Sequence, residues 1–107
     1  MWVDRHGVPW VDTFNRDVWD YNIALARESV ELGFREIQWD YVRFPDALAS
    51  YLANAVWPAR GGRTKEEGVR DFLLYARDQL ADLDVPITAD VFGLTLSVAG
   101  DMNIGQQ

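Results

Sequence analysis

Apolar residues recur along this chain with two alternating periods. Trp19, Ile23, Ala26 and Val30 return every three or four positions, which predicts a helix over residues 16–32 with these side chains on one face. Val18, Asn22 and Leu25 flank that face. Asp12, Thr13 and Asn15 are the candidate N-caps. Asp17 and Asp20 lie in the first turns, where the helix dipole favours negative charge. Gly33 falls just past the predicted end, with Phe34 placed to pack back on the last turn. The period then drops to two. Along residues 36–45, Ile37, Trp39 and Tyr41 share one side of a predicted strand and Gln38, Asp40 and Val42 the other, until Pro45 ends it.

The pattern lapses over residues 46–63. Residues 47–56 suit a short helix, Trp57-Pro58 breaks it, and Arg60-Gly61-Gly62-Arg63 reads as a loop. A connection this long exceeds the usual strand-to-helix length, and such loops tend to carry function. Thr64-Lys65-Glu66-Glu67 is a capping box that starts a second helix. Its stripe is Val69, Phe72, Leu73, Ala76, Leu80 and Leu83, Glu66 and Arg70 are spaced to pair, and Asp84 and Pro86 close it. Alternation returns in residues 87–93, with Ile87, Ala89 and Val91 on one side and Thr88 and Asp90 on the other. Before the first helix there is a turn at His6-Gly7 and an extended stretch over residues 8–11; residues 94–107 are loop-like.

Helices alternating with strands predict an α/β fold with a parallel sheet and right-handed crossovers. Two or three strands leave both sheet edges bare. The expectation is therefore a single piece, residues 1–107, of a larger domain, one that associates or folds poorly when isolated.

Composition narrows the chemistry. The net charge of −7 argues against non-specific binding to nucleic acid or anionic membrane and suits a neutral or cationic ligand. No apolar run is long enough to span a bilayer. With no cysteine and a single histidine, His6, disulfides, thiolate chemistry and multi-histidine metal sites are excluded, leaving only carboxylate metal sites; hydrolysis by paired carboxylates would require no cofactor. A serine triad would have to use His6, which sits among turn residues.

The chemistry-bearing positions lie on the strands. Each strand has one apolar face, while the opposite faces carry Gln38 with Asp40 and Thr88 with Asp90. In a closed barrel that second face points inward, and both aspartates fall toward the C-terminal ends, where barrel active sites lie. On neighbouring strands, two carboxylates come within the range used for glycoside hydrolysis, one as acid and the other as nucleophile or base. Arg43, three residues on, either orients Asp40 or simply neutralises it. Of the five tryptophans, Trp19 and Trp39 sit on apolar faces and read as core; Trp57, in the long loop, is the candidate sugar platform. Tyr41 reads as packing on the outer face.

The stretch Gly33-Phe34-Arg35-Glu36-Ile37-Gln38-Trp39-Asp40-Tyr41-Val42-Arg43-Phe44-Pro45 resembles the motif of a glycoside hydrolase family first catalogued as a bacterial domain of unknown function. The resemblance runs back to Trp10-Val11-Asp12 and Val18-Trp19-Asp20-Tyr21-Asn22-Ile23-Ala24. It runs on to Ala89-Asp90-Val91-Phe92-Gly93 and Asp101-Met102-Asn103-Ile104-Gly105-Gln106. It implies an amylase-like (β/α)8 TIM barrel, of which this chain spans roughly the third to fifth βα units. It further implies a bacterial polysaccharide or oligosaccharide substrate and, for the intact protein, a secreted or envelope location. Asp40, Arg43 and Asp90 match motif positions. Arg35 stands where the family has Asp, and Trp39 where it has Phe; neither touches the candidate carboxylates.

The sites expected are therefore Asp40, Asp90 and Arg43 for catalysis, with Gln38, Trp57 and Thr88 for substrate. Three rival readings remain: a catalytically silent polysaccharide-binding barrel, a carboxylate-metal hydrolase using Asp40 and Asp90 as ligands, and a structural role for both aspartates in ion pairs.

Overall fold

The computed structural model describes residues 2–45, 55–91 and 93. The chain opens with a hairpin, β1 (Trp2–Val3) antiparallel to β2 (Pro9–Trp10), with Trp2 opposite Trp10. Asp4 holds its turn together: the carboxylate accepts from the His6 N–H (2.8 Å), the Val8 N–H (2.9 Å) and the Trp10 indole (3.2 Å). These bonds, that from Val8 foremost, hold the Asp4 carboxyl below its ordinary pKa. The sequence pattern predicts the turn at His6-Gly7 and the extended stretch after it, but not that the two sides pair as a hairpin.

Helix α1 (Arg16–Glu31) is capped by Asn15, whose side chain accepts from the Asp17 N–H at 2.8 Å. Asp12 serves elsewhere, accepting from Phe14 N–H (3.0 Å) and, across the chain, from Ala59 N–H (2.8 Å). Trp19, Ile23 and Ala26 are buried, as the spacing predicted. At the end, Gly33 adopts φ +111°; its N–H reaches the Val30 carbonyl and that of Phe34 the Ser29 carbonyl. The Phe34 ring does not pack back: it is 65% exposed, and Ser29, the residue bonded beneath it, offers no apolar partner.

Strands β3 (Ile37–Trp39) and β4 (Ile87–Ala89) pair in parallel, with Ile37 opposite Ile87, Gln38 opposite Thr88 and Trp39 opposite Ala89. Between them, α2 (Lys65–Gln79) starts at the capping box read from the sequence, with both of its reciprocal bonds formed. It ends earlier than predicted: Leu80 is the C-cap, and Leu83 reaches the core from a following turn closed by its N–H on the Leu80 carbonyl. Arg70 turns to Asp71 (3.2 Å) instead of pairing with Glu66.

Both helices cover the same face of the parallel pair. Ile23 and Ala26 of α1, Ala76 of α2, Leu80 beyond it and Ile37 of β3 form one buried cluster, with Trp39, Phe72 and Ile87 packed against it. Across the helix seam, Arg27 grips both carboxylate oxygens of Asp82 at 2.8 Å, and the Tyr75 hydroxyl donates to Asp20 at 2.6 Å. The opposite sheet face, bearing Gln38 and Thr88, is exposed. A second cluster, Phe14, Phe44 and Val69, lies under the loops, with Trp57 and Val42 against it. The short helix predicted over residues 47–56 falls largely outside the described residues, and so do residues 94–107.

Candidate active site

The strand predicted over residues 36–45 stops at Trp39. Two residues later the backbone of Tyr41 turns left-handed, at φ +56°, and a three-residue turn closes from the Arg43 N–H to the Tyr41 carbonyl (2.8 Å). Asp40 is therefore the last residue before the chain swings off the sheet. Its carboxylate accepts from the Tyr41 N–H at 2.7 Å, which fixes it at the mouth of this turn.

On the neighbouring strand the ladder runs one residue past β4, because the Asp90 N–H donates to the Trp39 carbonyl at 2.8 Å. Asp40 and Asp90 are each the residue that follows the last paired position, Trp39 opposite Ala89. The Gln38 amide donates to the Asp90 carboxylate. Gln38 and Asp90 thus share the sheet face away from the helices, the face on which the sequence alternation put them, and Thr88, opposite Gln38, is exposed there too.

Among the described residues Asp40 makes no ion pair. The guanidinium of Arg43 lies instead over the Tyr41 ring, 4.1 Å from its centre, with Nη1 buried. Asp40, Tyr41 and Arg43 line a cleft of about 220 Å³ that Trp10 and Trp39 also border, closed at the back by Trp19 of α1 and Phe72 of α2. Trp10 meets Tyr41 across it with ring centres 5.7 Å apart, tilted at 43°. A second groove, of about 270 Å³, is lined by Trp2, Trp10, Asp12, Asn15, Trp57 and Pro58; Trp10 and Val11 border both.

The expected site residues thus fall into three neighbourhoods. Asp40 and Arg43 share the cleft; Gln38, Thr88 and Asp90 occupy the bare sheet face; Trp57 lies in the second groove. Trp57 is half-buried, its ring edge-on to Phe44 at 5.4 Å and Phe14 at 6.5 Å, so it is both core and groove wall. Sequence reasoning missed two cleft residues. Tyr41, expected to pack outward, is 58% exposed in the cleft because its left-handed backbone breaks the alternation. Trp10 follows Pro9 in what read as an extended stretch, and only the hairpin aims it at Tyr41. Among the described residues no three His, Cys, Asp or Glu side chains gather as a metal site, and no helix is long and apolar enough to cross a membrane.

A protein-family profile described as "Putative glycosyl hydrolase domain" matches residues 1–107. No curated protein and no solved structure matches the chain.

Proposed function

The chain belongs to this family of glycosyl hydrolase domains, and on that premise we propose that Asp40 and Asp90 are the paired carboxylates of a site that cleaves glycosidic bonds, within an amylase-like (β/α)8 barrel. The observation that carries the reading is the polar continuation of the parallel pair: the Asp90 amide extends the ladder to Trp39, its carboxylate is held by Gln38, and Asp40 follows at the matching position. The placement of α1 and α2 on one sheet face fits a barrel, whose helices all lie outside the strands.

Hydrolysis breaks the bond from the anomeric carbon to the bridging oxygen. A proton must reach that oxygen as it leaves, and the hydroxyl of water must end on the anomeric carbon. Asp40, with one oxygen held by the Tyr41 amide and no ion pair among the described residues, is placed as the nucleophile or the base that activates water. Asp90 is the partner acid or a ligand for a sugar hydroxyl. Gln38 orients Asp90, and Thr88 adds a hydroxyl on the same face. Arg43, stacked on Tyr41, supplies positive charge at the rim of the Asp40 cleft. Trp57 walls the neighbouring groove as a substrate contact.

The test is release of reducing ends from a panel of α- and β-glucans and bacterial polysaccharides by the full-length protein. Asp40→Asn is expected to lower turnover by about 10²–10⁴-fold while leaving the fold intact. Full turnover in Asp40→Asn would overturn the assignment. Loss of wild-type turnover on chelation, with recovery on adding a divalent cation, would replace it with a metal-assisted hydrolase.

A further inference from the structure

Two aromatic rings in the Asp40 cleft stand outside the buried cores. Neither Trp10 nor Tyr41 belongs to either core cluster. Tyr41 is 58% exposed, and its φ of +56° is a conformation that suits glycine or asparagine far better than tyrosine. A strained backbone carrying an exposed ring beside a carboxylate points to a role in binding. The ring is set in place beforehand: Arg43 lies over it at 4.1 Å, and Trp10 stands beside it at 5.7 Å, its indole N–H tied to Asp4 at 3.2 Å. Little ordering remains to be done when a ligand arrives.

A pyranose has an apolar C–H face and a rim of hydroxyls. The cleft offers aromatic faces beside the carboxylate of Asp40 and the amide of Asn22. The net charge of −7 favours a neutral sugar over an acidic one. Resting on the carbohydrate reading above, we infer that Trp10 and Tyr41 form the stacking platform of a sugar subsite next to Asp40, and that Trp10, which borders both grooves, carries a neutral oligosaccharide on into the groove of Trp2 and Trp57.

Calorimetric titration of the full-length protein with tri- and hexasaccharides of the maltose, cellulose and chitin series tests this. The wild type is expected to bind the hexasaccharide of at least one series more tightly than its trisaccharide. Tyr41→Ala should weaken both lengths by about tenfold, the scale of one aromatic contact, and Tyr41→Phe should restore them. Tyr41→Gly should weaken binding equally while its melting temperature does not fall, because glycine relieves the backbone; a merely structural tyrosine would not separate the two readouts. Trp10→Ala should remove the preference for the longer sugar. Wild-type affinity in Tyr41→Ala overturns the platform, and equal affinity for both lengths overturns the path into the second groove. If the wild type cleaves polysaccharide while Tyr41→Ala binds and cleaves normally, the platform alone fails. If the wild type neither binds nor cleaves any member, the carbohydrate reading fails with it.

Discussion

The two cores of this molecule are built in different ways. The cluster around Ile23, Ala26, Ile37, Ala76 and Leu80 is mostly aliphatic and assembled from two helices and a pair of strands. The cluster around Phe14, Phe44 and Val69 is largely aromatic, and apart from Val69 and Leu73 of α2 it is assembled from loops. In the first, hydrogen bonds are mostly internal to the elements. In the second, side chains must satisfy the backbone of distant segments: Asp12 accepts from Ala59 N–H, and Arg63 donates to the Ala59 carbonyl (2.9 Å) and to the Phe14 carbonyl (3.4 Å) while pairing with Asp71. The Asp40 cleft lies between the two, floored by Trp39, Trp19 and Phe72 and walled by Val42 and Val69. Regular elements give the site its fixed floor; the irregular half decides which rings and charges face it.

The largest effect should come from emptying the second core. Phe14 is 2% exposed, so Phe14→Ala is expected to cost about 3–5 kcal/mol. Denaturant unfolding measures the loss, and hydrogen exchange locates it. The amides of residues 42–44 should lose protection before those of α1, and equal loss in both would mean that the two cores are one cooperative unit.

A smaller effect of the opposite kind is expected at Gly68, where α2 meets Phe14. A Cβ there would stand 2.5 Å from Phe14 Cε1 and 2.9 Å from Cδ1. Gly68→Ala should therefore destabilise by about 1–2 kcal/mol net, overpacking outweighing the gain in helix propensity. A higher melting temperature would show that the Phe14 ring moves freely, and that the second core is looser than its burial indicates.

The smallest effect belongs to the helix seam of the first core. Arg27 donates to Asp82 and holds its carboxyl below the ordinary value of 3.8. The folded state then binds fewer protons than the unfolded chain, so this contribution is complete above that value and fades as pH falls through the lowered one. Because Asp82 is largely in solvent and Arg27 partly so, Arg27→Ala should shift the neutral-pH melt less than either substitution above and flatten the acid limb of the stability profile. An unchanged acid limb would remove the seam as a source of pH dependence.

What could be read along the chain was what local rules govern. The α1 face, the Thr64 capping box, the glycine that ends α1 and the alternation that sets Gln38 and Thr88 opposite Ile37 and Ile87 depend on neighbours within a few residues. The strand-end position of both aspartates was legible for the same reason, since each follows the last paired residue; the surroundings of each were not, because Asp40 opens into the cleft while Asp90 stays with Gln38 on the bare sheet face. Tyr41 was misread because nothing in its immediate sequence marks a left-handed turn; the cost of that backbone is borne by contacts with Trp10 and Arg43.

The sequence by itself determined that two helices would pack on one face of a parallel pair and that an acidic residue would stand at the end of each strand, because hydrophobic period and capping are short-range properties. Only the tertiary structure decided that Asp40 opens into an aromatic cleft with Tyr41 and Trp10, that Asp90 is held by Gln38, and that Trp57 belongs to a neighbouring groove. Those pairings join residues far apart in the chain, and they form only where chain entropy is offset by the burial of Phe14, Phe44 and their neighbours.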